Sequence, residues 1–290
     1  MKNNSNDFNN DFFDNLIKRA KEANPVKPED YIDEKTGLLF CGNCKTPKRA
    51  YIDFLGKKTE VPVVCKCEKE KEEEEREREK EQNRLAFVEK AKNACFPSEL
   101  YSEMTFENSD SPERDSEARC REYAEDFDVK KSRGLVLYGS PGTGKSFLAA
   151  SICNAIIKKG FSALFTDVMS AGADLVSVVK EDREKAEEKL NYYDLVVFDD
   201  FGMDRQTDYV LDGIQKAIVY RYNSGKPLII TTNITGDQFK NPKDVRLRRV
   251  FSRLFERCDF IELSGADRRI NKLIERERQR KRENNRNITP

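Results

Sequence analysis

Gly139-Ser140-Pro141-Gly142-Thr143-Gly144-Lys145-Ser146 is a stretch that bends tightly, turns backbone N–H groups inward and ends in a lysine and a serine. It satisfies G-x-x-x-x-G-K-[ST], with an apolar run, Leu135 to Tyr138, before it and apolar residues at helical spacing from Phe147 to Ile157 after it. Strand, glycine loop and helix in that order form a phosphate cradle, because the N–H groups and the positive end of the helix converge on one anion. The pattern predicts that Gly139 to Phe147 surround a nucleotide, with Lys145 reaching its β- and γ-phosphates and Ser146 coordinating Mg2+.

Outward from the cradle, further apolar runs occur at Ala163 to Phe165, Leu195 to Phe198 and Leu228 to Ile230, with helical patterns between them. Strands alternating with helices at this spacing predict an α/β fold, a parallel sheet sandwiched by helices. The run at Leu195 ends in Asp199-Asp200, where a strand end delivers carboxylates beside a nucleotide. Asp199 is the expected magnesium carboxylate. Asp200 either polarises the attacking water or caps the turn. As Asp it is one methylene shorter than the Glu common at that position, which implies slow turnover. Thr231-Thr232-Asn233 closes another strand run, and Asn233 either bridges the attacking water and the γ-phosphate or is an ordinary turn residue.

The 290 residues suffice for one substantial domain with smaller attachments. Lys plus Arg and Asp plus Glu number 53 each, so no net charge draws the whole molecule onto DNA or anionic lipid, and any nucleic-acid surface is local. No run approaches the roughly 20 apolar residues of a membrane helix, and the Asn-rich start lacks a signal peptide's apolar core. The expectation is a cytoplasmic protein with reduced thiols. Histidine is absent, which excludes histidine acid–base chemistry and requires any thiolate metal site to be all-cysteine.

Cys41-x-x-Cys44 and Cys65-x-Cys67 supply four such thiolates on a segment too short for a sizeable core. Tetrahedral zinc is the expected ligand, and structural Zn2+ contributes about 10 to 16 kcal/mol, which such a segment cannot gain by burial. A redox dithiol and unrelated thiols are the alternatives. Cys95, Cys120, Cys153 and Cys258 lack partners at ligand spacing and read as small apolar residues. Residues 68 to 82 are almost wholly Glu, Lys and Arg without an apolar stripe, a solvated helical spacer. The expected organisation is an N-terminal helical or flexible segment over 1–30, in which Phe12, Phe13, Leu16, Ile17, Ala20 and Ala23 follow helical spacing. A four-cysteine zinc module over 31–67, a charged helical linker over 68–93, a nucleotide-binding domain over 94–270 and a basic tail over 271–290 follow it.

Taken together, Gly139 to Ser146, Val196-Val-Phe-Asp-Asp-Phe-Gly202, Ile230-Thr-Thr-Asn233 and Arg249-Val-Phe-Ser-Arg253-Leu resemble the AAA+ ATPases of the DnaC/DnaI helicase-loader and IstB-like group over roughly residues 94 to 270. The resemblance implies an AAA+ P-loop core that hydrolyses ATP. It makes Arg249 the arginine finger inserted into a neighbouring subunit's site, with Arg253 the next candidate, and Arg268 a second sensor in its own subunit. A guanidinium there stabilises charge spreading over γ-phosphate oxygens. It also places the adenine near Phe96-Pro97 and Met104-Thr-Phe106, where core packing is the competing role. An N-terminal cysteine cluster resembles DnaI-like loaders, in which this part contacts the helicase. The implied partners are a replicative DNA helicase, single-stranded DNA, and further copies of the chain through the AAA+ domain. Basic faces between Lys240 and Arg257, and the segment from Met169 to Lys189, are the candidate DNA contacts. An IstB-like transposition helper and a nucleotide-sensing zinc adaptor without useful hydrolysis remain as alternatives.

Overall fold

Turns and cysteines, rather than an apolar core, hold the N-terminal part together. In the computed structural model the described residues are 15–54, 56–110, 115–177, 179–202, 208–242, 244–270 and 276–278. The chain divides into two units, residues 1–83 and 84–290. In the first, residues 15–23 form helix α1, which includes Leu16, Ile17 and Ala20, whereas Phe12 and Phe13 lie outside the described residues. Strands β1 (Tyr31–Ile32) and β2 (Leu39–Phe40) pair antiparallel, as do β3 (Arg49–Phe54) and β4 (Lys57–Pro62). The buried residues among those described are Asn24, Cys41, Lys48, Arg49 and Cys65. Two cysteines and three polar side chains make no hydrophobic core.

Helix α2 (Lys66–Cys95) follows. Its charged half lacks Gly, Pro and an apolar stripe, and i,i+4 pairs such as Lys71–Glu75 and Arg78–Glu74 run along it. Toward its end Val88 and Ala91 pack on the core of the second unit, and Cys95 is buried there.

The second unit continues with α3 (Glu99–Ser102), α4 (Asp115–Glu125), β5 (Gly134–Tyr138), α5 (Lys145–Lys158), β6 (Ala163–Asp167), α6 (Val168–Leu175), α7 (Lys180–Tyr192), β7 (Leu195–Phe201), α8 (Asp208–Ser224), β8 (Leu228–Thr232), α9 (Gly236–Lys240), α10 (Val245–Arg257) and β9 (Cys258–Glu262). The strands form one parallel sheet in the order β6-β7-β8-β5-β9. Alternate residues serve opposite faces. Leu135, Leu137, Leu195 and Val197 pack with α4 and α5, while Val136, Val196, Phe198 and Ile230 pack with α6, α7, α8 and α10. Because both faces are covered, the strands read as unbroken apolar runs. Cys120, Cys153 and Cys258 join these cores as small apolar residues, and burial pushes the Cys120 and Cys258 thiols up to about 12.

Strand β9 has no counterpart in the apolar runs read from the sequence. It begins at the residue after α10 ends, with no turn residue between Arg257 and Cys258, so its short run merges with the helical pattern. Beyond Asp267, residues 268–270 and 276–278 are helical, and the remainder of the expected basic tail lies outside the described residues.

Candidate active site

The sheet order sets β7, β8 and β5 side by side, so the loops at their C-terminal ends meet at one cleft. The cleft encloses about 600 Å³, and its lining includes Gly142, Lys145, Ser146, Phe147, Asp199, Asp200, Asn233 and Arg268. That volume lies within the range of small-molecule sites, about 300–1,000 Å³. Residues far apart in sequence thus converge here.

The cradle leaves Tyr138 and enters α5 at Lys145. Gly142 has φ +76°, and a Cβ there would lie 2.1 Å from the Asp267 carboxyl group, so both backbone and space call for glycine. Thr143 Oγ1 donates to the Ser140 carbonyl at 2.9 Å and braces the turn. Lys145, 8% exposed, donates from Nζ to the carbonyls of Gly139 and Ser140, each at 2.8 Å. Burial pushes its pKa down, against the pull of Asp200 and Asp199. Phosphate oxygens would exchange for those two carbonyls.

Asp199 and Asp200 occupy a β-bulge. Phe198 faces Ile230 and Phe201 faces Thr232, so β7 spends one residue more than β8 across this interval. Asp200 takes φ +55°, a left-handed conformation uncommon outside glycine and characteristic of functional sites. Thr231, buried in β8, links the two: its Oγ1 donates to Asp199 Oδ1 at 2.5 Å and accepts from the Asp200 N–H at 3.0 Å. Burial raises the Asp199 pKa, opposed by hydrogen bonds from Thr231 and Ser146. The contact between Ser146 and Asp199 puts a hydroxyl and a carboxylate together, the hard oxygen pair suited to Mg2+. Asn233 follows β8 into the cleft, and the Ile234 N–H donates to Thr232 Oγ1 at 3.0 Å, which holds the turn.

Arg268 reaches the cleft from beyond β9. Its backbone N–H donates to the Gly142 carbonyl at 3.0 Å, and its guanidinium pairs with the Asp110 carboxylate and lies 6.0 Å from the Phe147 ring. Arg249 and Arg253 do not line this cleft. Arg249 is exposed on α10, and Arg253 lies half-buried with its guanidinium 5.7 Å from the Tyr222 ring. Arg246, from the same cluster, is committed to Asp208, Asp212 and Asp244.

The segment in which the resemblance places the adenine contributes Leu100, Tyr101, Met104 and Asn108 to the lining. Of the residues expected there, Met104 is present, whereas Phe106 is buried in the core and Phe96 packs on Tyr101 and Phe165. Leu100 and Tyr101 carry no motif that would single them out. Thr231, by contrast, stands within Thr231-Thr232-Asn233, where its position beside a strand-end Asn is a usable signal.

Cys41, Cys44, Cys65 and Cys67 gather with all four Sγ atoms within 4.8 Å of one another, and the Cys67 sulfur lies 3.6 Å from that of Cys41 and 3.5 Å from that of Cys65. Zinc–sulfur bonds of about 2.3 Å in a tetrahedron require edges of about 3.8 Å, so these separations are compatible with Zn2+. Behind the ligands, Asp30 accepts from Lys48 Nζ at 2.8 Å, the Lys27 N–H at 2.8 Å and the Gly42 N–H at 3.3 Å. Burial pushes this carboxyl up, but those bonds outweigh it and hold the pKa at about 2. Gly42 lies between two ligands and against the Glu29 carbonyl, 2.0 Å from where a Cβ would stand. Asp30 therefore secures the first cysteine loop from behind.

Residues 66–276 match the profile of the family described as IstB-like ATP binding protein, well over half of the chain. The chain belongs to the IstB-like ATP-binding family. Among relatives of this IstB-like chain, the replicative helicase loader DnaC of Escherichia coli K12 is 29% identical over 158 residues, 52% of this chain and 64% of that protein. The replicative helicase loader DnaI of Bacillus subtilis 168 is 27% identical over 152 residues, 48% of each chain. The match thus spans less than two thirds of these relatives. A crystal structure of the DnaC helicase loader superposes with a TM-score of 0.51 at 28% identity, covering 58% of this chain and all of that one. A crystal structure of DnaI, at 20% identity and a TM-score of 0.51, covers 61% and 98% and shows the same fold. The IstB-like chain therefore carries an AAA+ core, and no helix among its described residues is long and apolar enough to cross a membrane.

Proposed function

We propose that this chain is an ATP-hydrolysing loader that places a replicative DNA helicase on single-stranded DNA. The observation that carries the reading is the convergence of Lys145, Ser146, Asp199, Asp200 and Asn233 on one cleft, in a chain whose relatives are helicase loaders. Lys145 would neutralise the β- and γ-phosphates, Ser146 and Asp199 would hold Mg2+, and Asn233 would position water at the γ-phosphate. Asp200 would polarise that water with a reach one methylene short, giving the slow turnover of a switch. Arg268 would sense the nucleotide within its own subunit. Arg249, outward on α10 and away from its own cleft, would enter a neighbour's, with Arg253 as the second candidate. ATP would then close a seam between copies and hydrolysis would release it.

The cysteine module, held by Zn2+, would bind the helicase, and DNA would run along the outward basic residues of α10 or along α6 and α7. The test is co-purification of the zinc-replete chain with a hexameric replicative helicase in ATP and in ADP, alongside ATPase assays with Lys145→Ala and Arg249→Ala controls. Nucleotide-dependent capture with turnover lost in both variants supports the loader, and failure to bind a helicase in either nucleotide refutes it. Membership of the IstB-like family leaves a second reading, a transposition helper. Preference for duplex over single-stranded DNA at matched salt, with capture of a transposase, would identify it. Turnover no higher than in the two variants would instead mark a nucleotide-sensing adaptor.

A further inference from the structure

Asn154 lies on the phosphate-binding helix but serves the opposite end of the cleft. It is 1% exposed, and its Nδ2 donates to the carbonyls of Tyr101 and Met104, each at 2.9 Å, and to that of Ala150 in its own helix at 3.1 Å. Tyr101 and Met104 belong to the wall beside which a base would lie once the phosphates occupy the cradle. We propose that Asn154 is a positioning residue for the nucleobase: it ties the base-side wall to the phosphate-binding helix and thereby sets both ATP affinity and discrimination between purines. This inference rests on the nucleotide reading above.

The wall needs such a tie. Helix α3 spans four residues, too short to hold its own shape, and its N-cap Ser98 makes no side-chain capping bond. Other supports fix its flanks: Lys92 Nζ donates to the Ser102 carbonyl at 3.2 Å, Asn108 Nδ2 to the Glu103 carbonyl at 2.8 Å, and the Tyr101 ring packs 4.7 Å from Phe165. Among these contacts Asn154 alone springs from the helix that begins at Lys145. One side chain therefore ties the phosphate-binding helix to the wall's backbone by hydrogen bonds, beside the apolar packing of Tyr101 and Met104 on the core that this helix shares.

A second observation argues that the amide is more than filling. Asn154 Oδ1 is buried with no hydrogen-bond partner, a cost that an apolar side chain of similar volume would avoid. What the amide provides in exchange is its two N–H donors, which three carbonyls share: those of Tyr101 and Met104 in the wall and that of Ala150 in its own helix. The carbonyls it holds belong to backbone, so changes at residues 101 and 104 themselves would not reveal the link, whereas a change at Asn154 does.

The test compares ATP with inorganic tripolyphosphate, which carries the phosphate chain without base or ribose, on the full zinc-replete chain by calorimetry. Asn154→Leu should lower ATP affinity about tenfold, ~1.4 kcal/mol, and reduce the preference for ATP over GTP. Tripolyphosphate affinity should not change. Asn154→Ser, which keeps one donor in less volume, is measured beside it and should show the same split to a smaller extent; it carries the test if the leucine variant does not fold. Unchanged ATP affinity, or equal losses of ATP and tripolyphosphate in the folded variant, overturns the proposal, because the residue would then serve packing alone. If the unsubstituted chain binds no ATP, the nucleotide reading itself fails, an outcome visible before any variant is compared.

Discussion

Stripping zinc from the cysteine module should unfold the first unit and leave the second intact. The described buried residues of that unit are Asn24, Cys41, Lys48, Arg49 and Cys65. A fully buried Leu contributes about 1.5–3 kcal/mol, and the described residues here include none. Tetrahedral zinc on four thiolates is worth about 10–16 kcal/mol, as large as the net stability of a whole domain, about 5–15 kcal/mol. Once the metal is gone, the hairpin β3–β4 has no core to rest on, and isolated hairpins are marginal in water. The assay is limited proteolysis read by mass spectrometry, with and without a strong zinc chelator, metal content being measured in each sample. New cleavage should appear within residues 24–65, while β5 to β9 stay protected and ATP binding is retained. Cys44→Ser, with three ligands left, should give the same pattern at lower chelator concentration. Undiminished protection of residues 24–65 in metal-free protein would refute the reasoning, since some other source of stability would have to exist.

Other consequences are equally direct. Lys145→Ala should abolish ATP turnover, and mixing it with Arg249→Ala subunits should restore part of it if the finger acts between copies, measured as phosphate release across mixing ratios; no recovery at any ratio, with both variants folded, counts against that geometry. Thr231→Val deletes both the donor to Asp199 and the acceptor for the Asp200 N–H. Loss of a hydrogen bond to a charged group costs about 1.5–3 kcal/mol, or roughly 10- to 100-fold in kcat if it is made in the transition state, and Thr231→Ser should restore most of it. Asp30→Ala should weaken zinc about 10- to 100-fold in a chelator competition, because it frees the Gly42 N–H within the Cys41–Cys44 loop. Arg221→Met should lower the urea midpoint by the equivalent of about 3 kcal/mol, for it orphans the buried carbonyls of Leu190 and Pro227 and the half-buried ones of Tyr193 and Asp194.

The phosphate cradle and the apolar runs were readable because each is a local pattern: glycine spacing dictates a turn, and a strand covered on both faces must be apolar throughout. The cysteine pairs were readable for the same reason, since two short spacings bring four sulfurs within reach of one ion. What escaped depended on contacts between distant segments. The bulge at Asp199 and Asp200 exists only in the register of β7 against β8. Leu100 and Tyr101 line the cleft whereas Phe96 and Phe106 are taken up by packing, which aromatic content alone does not distinguish. Arg221, a basic residue in an amphipathic helix, reads as solvated, yet it is fully buried and clips the end of α7 to the starts of β7 and β8.

The junction of α10 with β9 has a mechanical corollary. No loop separates Arg257 from Cys258, β9 is zipped to β5 along its length, and the chain then returns to the cradle, where the Leu263 N–H meets the Tyr138 carbonyl at 2.7 Å and that of Arg268 meets Gly142. A displacement of α10 would pass to β9 without an intervening loop, and from β9 to the strand that feeds the glycine turn. Were copies to assemble through α10, as proposed, one strand would join their seam to the nucleotide cleft.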